Sequence, residues 1–148
     1  ANTSSNPIFE YRNTFATTNK KGDLIQIDSK GNIVTSDLNL RPGHFIDMTS
    51  KSLVSFSENI LRIKGIPVEL PFGKYTPPKI HYINNTIYVS ISDLDTQKVY
   101  VFYSNGAAVG GFPVYGSSVI DLENADDDKG LEMVVQSEAT SFLIYEIN

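Results

Sequence analysis

Cysteine and tryptophan are absent from this 148-residue chain, and histidine occurs only twice, as His44 and His81. Without cysteine there are no disulfides, no thiol nucleophile and no thiolate metal site, although the compartment stays open because many exported proteins also lack it. Without tryptophan the chain loses a favoured flat surface for stacking on a sugar or a quinone ring. Two histidines fall short of the three protein ligands of a catalytic zinc site, and no GxSxG elbow offers a nucleophile. No catalytic residue is assigned. Positive charge is also in deficit, with 12 Lys and Arg against 17 Asp and Glu and a net charge of -5. A phosphate backbone is repelled on average, so nucleic acid is not an expected partner. No stretch approaches the roughly 20 apolar residues of a membrane helix, and no charged n-region with an apolar h-region is present, so membrane insertion is not expected.

Helical periodicity is missing too: no window of eleven or more residues repeats its apolar positions every three to four residues. What is there alternates. The runs DLIQID, SLVSFS, ILRIK, TIYVSIS, KVYVFY, EMVVQS and SFLIYEI are strand-like, rich in Val, Ile, Tyr and Phe, and are separated by Gly, Asn, Asp, Ser or Pro. The chain is 41% hydrophobic and 20% charged, a globular composition. The fold class is therefore all-β. The small polar start, residues 1–7, reads as a linker or trimmed end, and residues 8–148 as one domain.

The segments LIQIDSKGNIVTSDL, LRIKGIPVELPF and VYVFYSNGAAVGGFPV share one plan: an alternating strand, a glycine turn and a second extended stretch. Leu24, Leu61, Val99 and Phe142 recur at roughly the 40-residue spacing of a four-stranded propeller blade. Repeat units fall at about 8–41, 42–73, 74–114 and 115–148, with inner strands starting near Ile8, His44, Lys79 and Ser118. The expected architecture is a propeller-like array of about four small four-stranded antiparallel blades, the last lacking its outer strand. Such an array belongs to a longer propeller, or pairs with a second chain to complete the ring; a sandwich or irregular barrel also accommodates the spacing.

The run NGAAVGGFPV (Asn105 to Val114) followed by SSVIDLENADDDKGLEMVV resembles the FG-GAP or VCBS type of propeller repeat, in which a glycine-rich outer strand precedes an inner strand and an acidic loop. The likeness covers the last third of the chain, residues 99–147, best; at the corresponding earlier turns stand only TSKS (Thr49 to Ser52) and INNT (Ile83 to Thr86). It implies an integrin-like, extracytoplasmic binding or scaffolding module that recognises a protein or glycan ligand, with calcium in its acidic loop.

In that loop, calcium asks for six to eight oxygens presented by alternate residues. Asn124, Asp126 and Asp128 occupy the first, third and fifth positions, Gly130 offers a backbone oxygen at the seventh, and Glu132 closes at the ninth. A second register starts from Asp121 and Glu123. The competing reading is a solvated acidic turn, with Lys129 at the sharp-turn position and Asp127 and Lys129 facing water. A glycosidase pair of carboxyls needs a sheltered cleft that a surface turn does not provide. The rival function class is the propeller portion of a cofactor-dependent, quinoprotein-like or carbohydrate-active enzyme. His44 and His81 sit at equivalent places in their units; each reads as a packed or hydrogen-bonded strand residue, with a paired metal or anion site as the alternative. Asp93 and Asp95 read as hairpin-turn polars, and Tyr100 and Phe102 as one face of a doubly covered strand. The sequons Asn2-Thr3-Ser4 and Asn84-Asn85-Thr86 carry meaning only in a eukaryotic secretory context.

Overall fold

The computed structural model describes residues 6–126 and 128–147. Most of the expected leading linker, the first sequon and Asp127 therefore lie outside the described residues. Among those described, the alternating runs form fifteen strands in four small antiparallel sheets, with no helix. Sheet 1 holds β1 (Phe9–Tyr11), β2 (Thr14–Thr18), β3 (Asp23–Ile27) and β4 (Ile33–Asp37); sheet 2 holds β5 (Phe45–Met48), β6 (Leu53–Ser57), β7 (Ile60–Ile63) and β8 (Ile66–Glu69). Sheet 3 holds β9 (Lys79–Ile83), β10 (Thr86–Asp93), β11 (Lys98–Tyr103) and β12 (Val114–Tyr115), and sheet 4 holds β13 (Asp121–Glu123), β14 (Leu131–Glu138) and β15 (Ser141–Ile147). In every sheet each strand pairs with its sequence neighbour, and every sheet is open.

Local chemistry explains why the chain turns where it does. Arg12-Asn13 and Asn84-Asn85 carry positive φ values (49° and 60°, 50° and 61°), the handedness that two-residue hairpin loops require. The Asp28 carboxylate accepts the backbone N–H groups of Lys30 and Asn32 and the Asn32 amide, so the β3–β4 turn is closed by its own side chains. Those bonds, the Asn32 amide first, hold the Asp28 carboxyl below the usual carboxylate range. Gly31 in the same turn stands at φ +83°, where a side chain is strained.

The chain divides into two compact units, Ala1–Phe72 and Gly73–Asn148, within the span read from sequence as one domain. In the first, Tyr11, Ala16 and Leu24 of sheet 1 pack with Leu40 and with Ile46 and Met48 of sheet 2. In the second, Val99 and Val101 of sheet 3 pack with Val109, Ile120 and Leu122, and with Leu131, Met133 and Val135 of sheet 4. Strand alternation sends these residues to one face. Three consecutive residues of β6 and five of β10 are buried, so these two strands are covered on both faces. Sheets 1 and 4 differ. Phe15, Ile27 and Ile33 line up across sheet 1 as an exposed apolar row; on sheet 4 exposed Val134 pairs with Ile144, and exposed Phe142 lies two residues along β15 on the same face, opposite Gln136. Phe142 is thus turned outward, and Leu143 is the residue of β15 that joins the core at that point.

Candidate metal loop between β13 and β14

The acidic loop is suspended between two strands whose pairing fixes its ends: Asp121 faces Val134, Leu122 faces Met133, and Glu123 faces Glu132. Leu122 and Met133 are buried and anchor the hairpin, which leaves the carboxylates on the wet side. Inside the loop, the side chains hold the backbone. Asp128 N–H donates to Asp126 Oδ1 at 3.2 Å, Gly130 N–H donates to Asp128 Oδ1, and Ala125 N–H donates to Glu132 Oε2 at 2.6 Å. The loop is therefore curled around its own acids, each keeping a second oxygen for another partner.

One oxygen from each of Asp126, Asp128 and Glu132 lies within 4.8 Å of the others. Two oxygens bound on opposite sides of one calcium at about 2.4 Å are at most about 5 Å apart, so these three fit a single shared ion. Asn124 supplies a further observation. Its Nδ2 donates to the Asp128 carbonyl at 2.8 Å, which places the amide inside the loop, while its Oδ1 is sealed from solvent without any donor. A buried oxygen without a partner is costly, and a cation relieves it. The donor set, three carboxylates and an amide oxygen, is the hard-oxygen chemistry calcium selects. Gly130 is buried, and a β-carbon there stands 3.1 Å from Asp128 Oδ1, so the absence of a side chain lets that carboxylate fold over the turn. Lys129 is exposed.

The second register is divided. Asp121 is engaged elsewhere: Lys79 Nζ reaches its Oδ1 at 2.6 Å and also donates to the Ile120 carbonyl, and this cation holds the Asp121 carboxyl below its ordinary range. Glu123 stays at the loop's edge, directly across from Glu132. Glu146, which the sequence reading did not select, faces Glu132 from the other side, so Glu123, Glu132 and Glu146 form one acidic row across sheet 4. The signal was present in the sequence as the alternation of EMVVQ against SFLIYEI, but it needed the register of β14 on β15 to be read.

The histidines are both committed to structure. His44 Nε2 is 2.7 Å from Thr18 Oγ1 and its Nδ1 is 2.9 Å from the Arg41 carbonyl; Asn6 ties the same corner by donating to Thr18 Oγ1 and the His44 carbonyl. His81 Nε2 is 2.8 Å from Ser90 Oγ in the adjacent strand. Asp93 is buried at the end of β10, where its carboxylate accepts from the backbone N–H groups of Asp95 and Thr96 and from Thr96 Oγ1. It closes the hairpin expected of it. Burial, and then the Asp93 charge, raise the Tyr75 phenol well above its usual range. The rings of Tyr100 and Phe102 stack with centroids 6.3 Å apart on one face of β11, while Val99 and Val101 fill the core from the other. Among the described residues no helix is long and apolar enough to cross a membrane. Compared with known proteins, the chain matches no family model, no curated protein and no solved structure.

Proposed function

We propose that the chain is a non-catalytic binding or scaffolding module built of propeller-like repeats, with a calcium ion stabilising the loop between β13 and β14. The observation that carries the calcium reading is the convergence of Asp126, Asp128 and Glu132 oxygens in a loop that also holds a sealed, unpartnered Asn124 Oδ1. Four successive meanders of one strand order, the last with three strands among the described residues, support the propeller-like repeat. The histidines and the buried Asp93 are consumed by structural hydrogen bonds, which favours a binding module over an enzyme. A loop of four such ligands is of the kind that fills at the millimolar calcium found outside the cytosol, in keeping with an extracytoplasmic module that meets a protein or glycan.

Thermal melting with and without calcium tests the site. Millimolar calcium raises the melting temperature, because an ion bound only by the folded form stabilises it by about 2.7 kcal/mol at a hundred times its dissociation constant. Magnesium, which demands a tighter octahedron, gives a smaller rise. Glu132→Gln keeps an acceptor for the Ala125 N–H but removes a charged ligand, and it abolishes the calcium response. An unchanged melting temperature in millimolar calcium refutes the site.

A further inference from the structure

Two of the chain's three arginines, Arg41 and Arg62, converge on one cavity within the first unit. It lies between the connection that follows β4 and the hairpin of β6 and β7, opens to solvent, and measures about 150 Å³. That is the size of cavity that takes up a six-membered ring. Its two walls are tied together: the Arg41 backbone N–H donates to Ser57 Oγ at 2.9 Å, and Ser57 pairs with Ile60 across the hairpin. Arg62 stands half-buried on β7, and among the described residues no carboxylate pairs with its guanidinium. A charge drawn partly out of water without a counter-charge is unfavourable, and a bound anion relieves it. Arg41 is only loosely provided for. Its Nε is 3.7 Å from Glu58 Oε1, beyond hydrogen-bond length, and the two side chains are 71% and 62% exposed. Glu58 can therefore yield its place to a carboxylate from outside.

We propose, on the reading of the chain as a binding module, that this cavity takes a uronic acid residue of an acidic glycan, its carboxylate held by Arg62 and Arg41. A guanidinium fork matches a planar carboxylate with two parallel N–H···O bonds. Beside the arginines stand neutral groups of the kind that pair with sugar hydroxyls, the Asn39 amide and the Ser57 hydroxyl. Ser57 Oγ accepts from Arg41, which leaves its own hydrogen to donate. Leu40 and Ile60 add apolar surface for the C–H face of the ring. An aspartate or glutamate side chain satisfies the arginines but leaves those neutral groups without a partner, so the sugar acid fits better. In a chain of net charge -5, the paired arginines supply a local positive site for a ligand that the average surface repels.

Nuclear magnetic resonance titration of the isotope-labelled chain, in buffer freed of calcium so that the β13–β14 loop does not contribute, compares methyl glucuronide with methyl glucoside, acetate, sulfate and N-acetylglutamate amide. Methyl glucuronide shifts the amides of residues 39–41 and 57–62 and binds at least about tenfold more tightly than the other probes. Arg62→Gln abolishes those shifts, with melting as the check that the variant folds. Glu58→Gln removes the carboxylate that competes for Arg41 and tightens binding by about two- to fivefold, a gain that misfolding does not produce. Methyl glucoside binding as tightly as the glucuronide overturns the proposal, because the arginines then recognise nothing. Acetate or sulfate matching the glucuronide also overturns it, by marking a simple anion hole. Tighter binding of the glutamate probe at these residues overturns the sugar and keeps the binding module, with an acidic peptide as its ligand. Absence of shifts at these residues with every probe overturns the site itself.

Discussion

At the scale of single residues, the two histidines show how a position in a strand decides chemistry that residue type leaves open. His81 could be identified from sequence as a residue of a first strand, but its partner Ser90 is nine residues away and visible only once β9 and β10 are in register. Burial first, and then the neighbouring Lys79, lower its pKa to about 4, while Asp121 pulls the other way. In the unfolded chain an ordinary histidine titrates near 6.5, so between those values the unfolded state binds the extra proton. The neutral ring's contribution is complete above about pH 6.5 and is lost as pH falls towards 4, by up to about 3 kcal/mol. His81→Gln keeps a partner for Ser90 but has nothing to protonate. Melting curves from pH 7 to pH 4.5 will show the unaltered chain losing more stability than the variant; superimposable pH dependences would show that His81 does not carry this penalty.

At the scale of elements, strands were legible wherever apolar and polar residues alternate over four or more positions. DLIQID, SLVSFS, ILRIK, TIYVSIS, KVYVFY, EMVVQS and SFLIYEI became β3, β6, β7, β10, β11, β14 and β15. Strands such as β12 and β13, two and three residues long, offer too little sequence for a period to appear. The acidic loop was legible as a ligand pattern, yet Glu146 and the diversion of Asp121 to Lys79 depend on cross-strand register and on a partner 42 residues away. Close approach between sheets was equally hidden. Gly116, just past β12, has no side chain, and a β-carbon there falls 2.5 Å from Val135 Cγ2 and 2.8 Å from Val99 Cγ2. Both valines are fully buried in the core shared by sheets 3 and 4, so neither has room to retreat. Gly116→Ala is expected to destabilise by about 1–3 kcal/mol through overpacking, measured by urea unfolding. A midpoint equal to that of the unaltered chain would mean that the sheets separate at little cost.

At the scale of the whole molecule, the sequence period suggested one domain of about four repeat units, the last lacking its outer strand, and the contacts group the four sheets into two compact units of two sheets each. A period reports what each repeat can bury and is silent about which neighbour buries it. Each unit holds a defined core: the residues from Tyr11 to Met48 lie in the first unit, and those from Val99 to Val135 in the second. Met133, fully buried at the centre of the second core, is the place to ask whether the units unfold independently. Met133→Ala is expected to cost about 2–5 kcal/mol, from lost burial and the cavity left behind. If each core sustains its own unit, native-state hydrogen exchange will show faster opening of amides in β9–β11, β13 and β14, while those of β2, β3 and β6 keep their protection. Equal loss of protection in β2 and β3 would instead mean that the two units open together, and that the stability of the first depends on the second as much as on its own core.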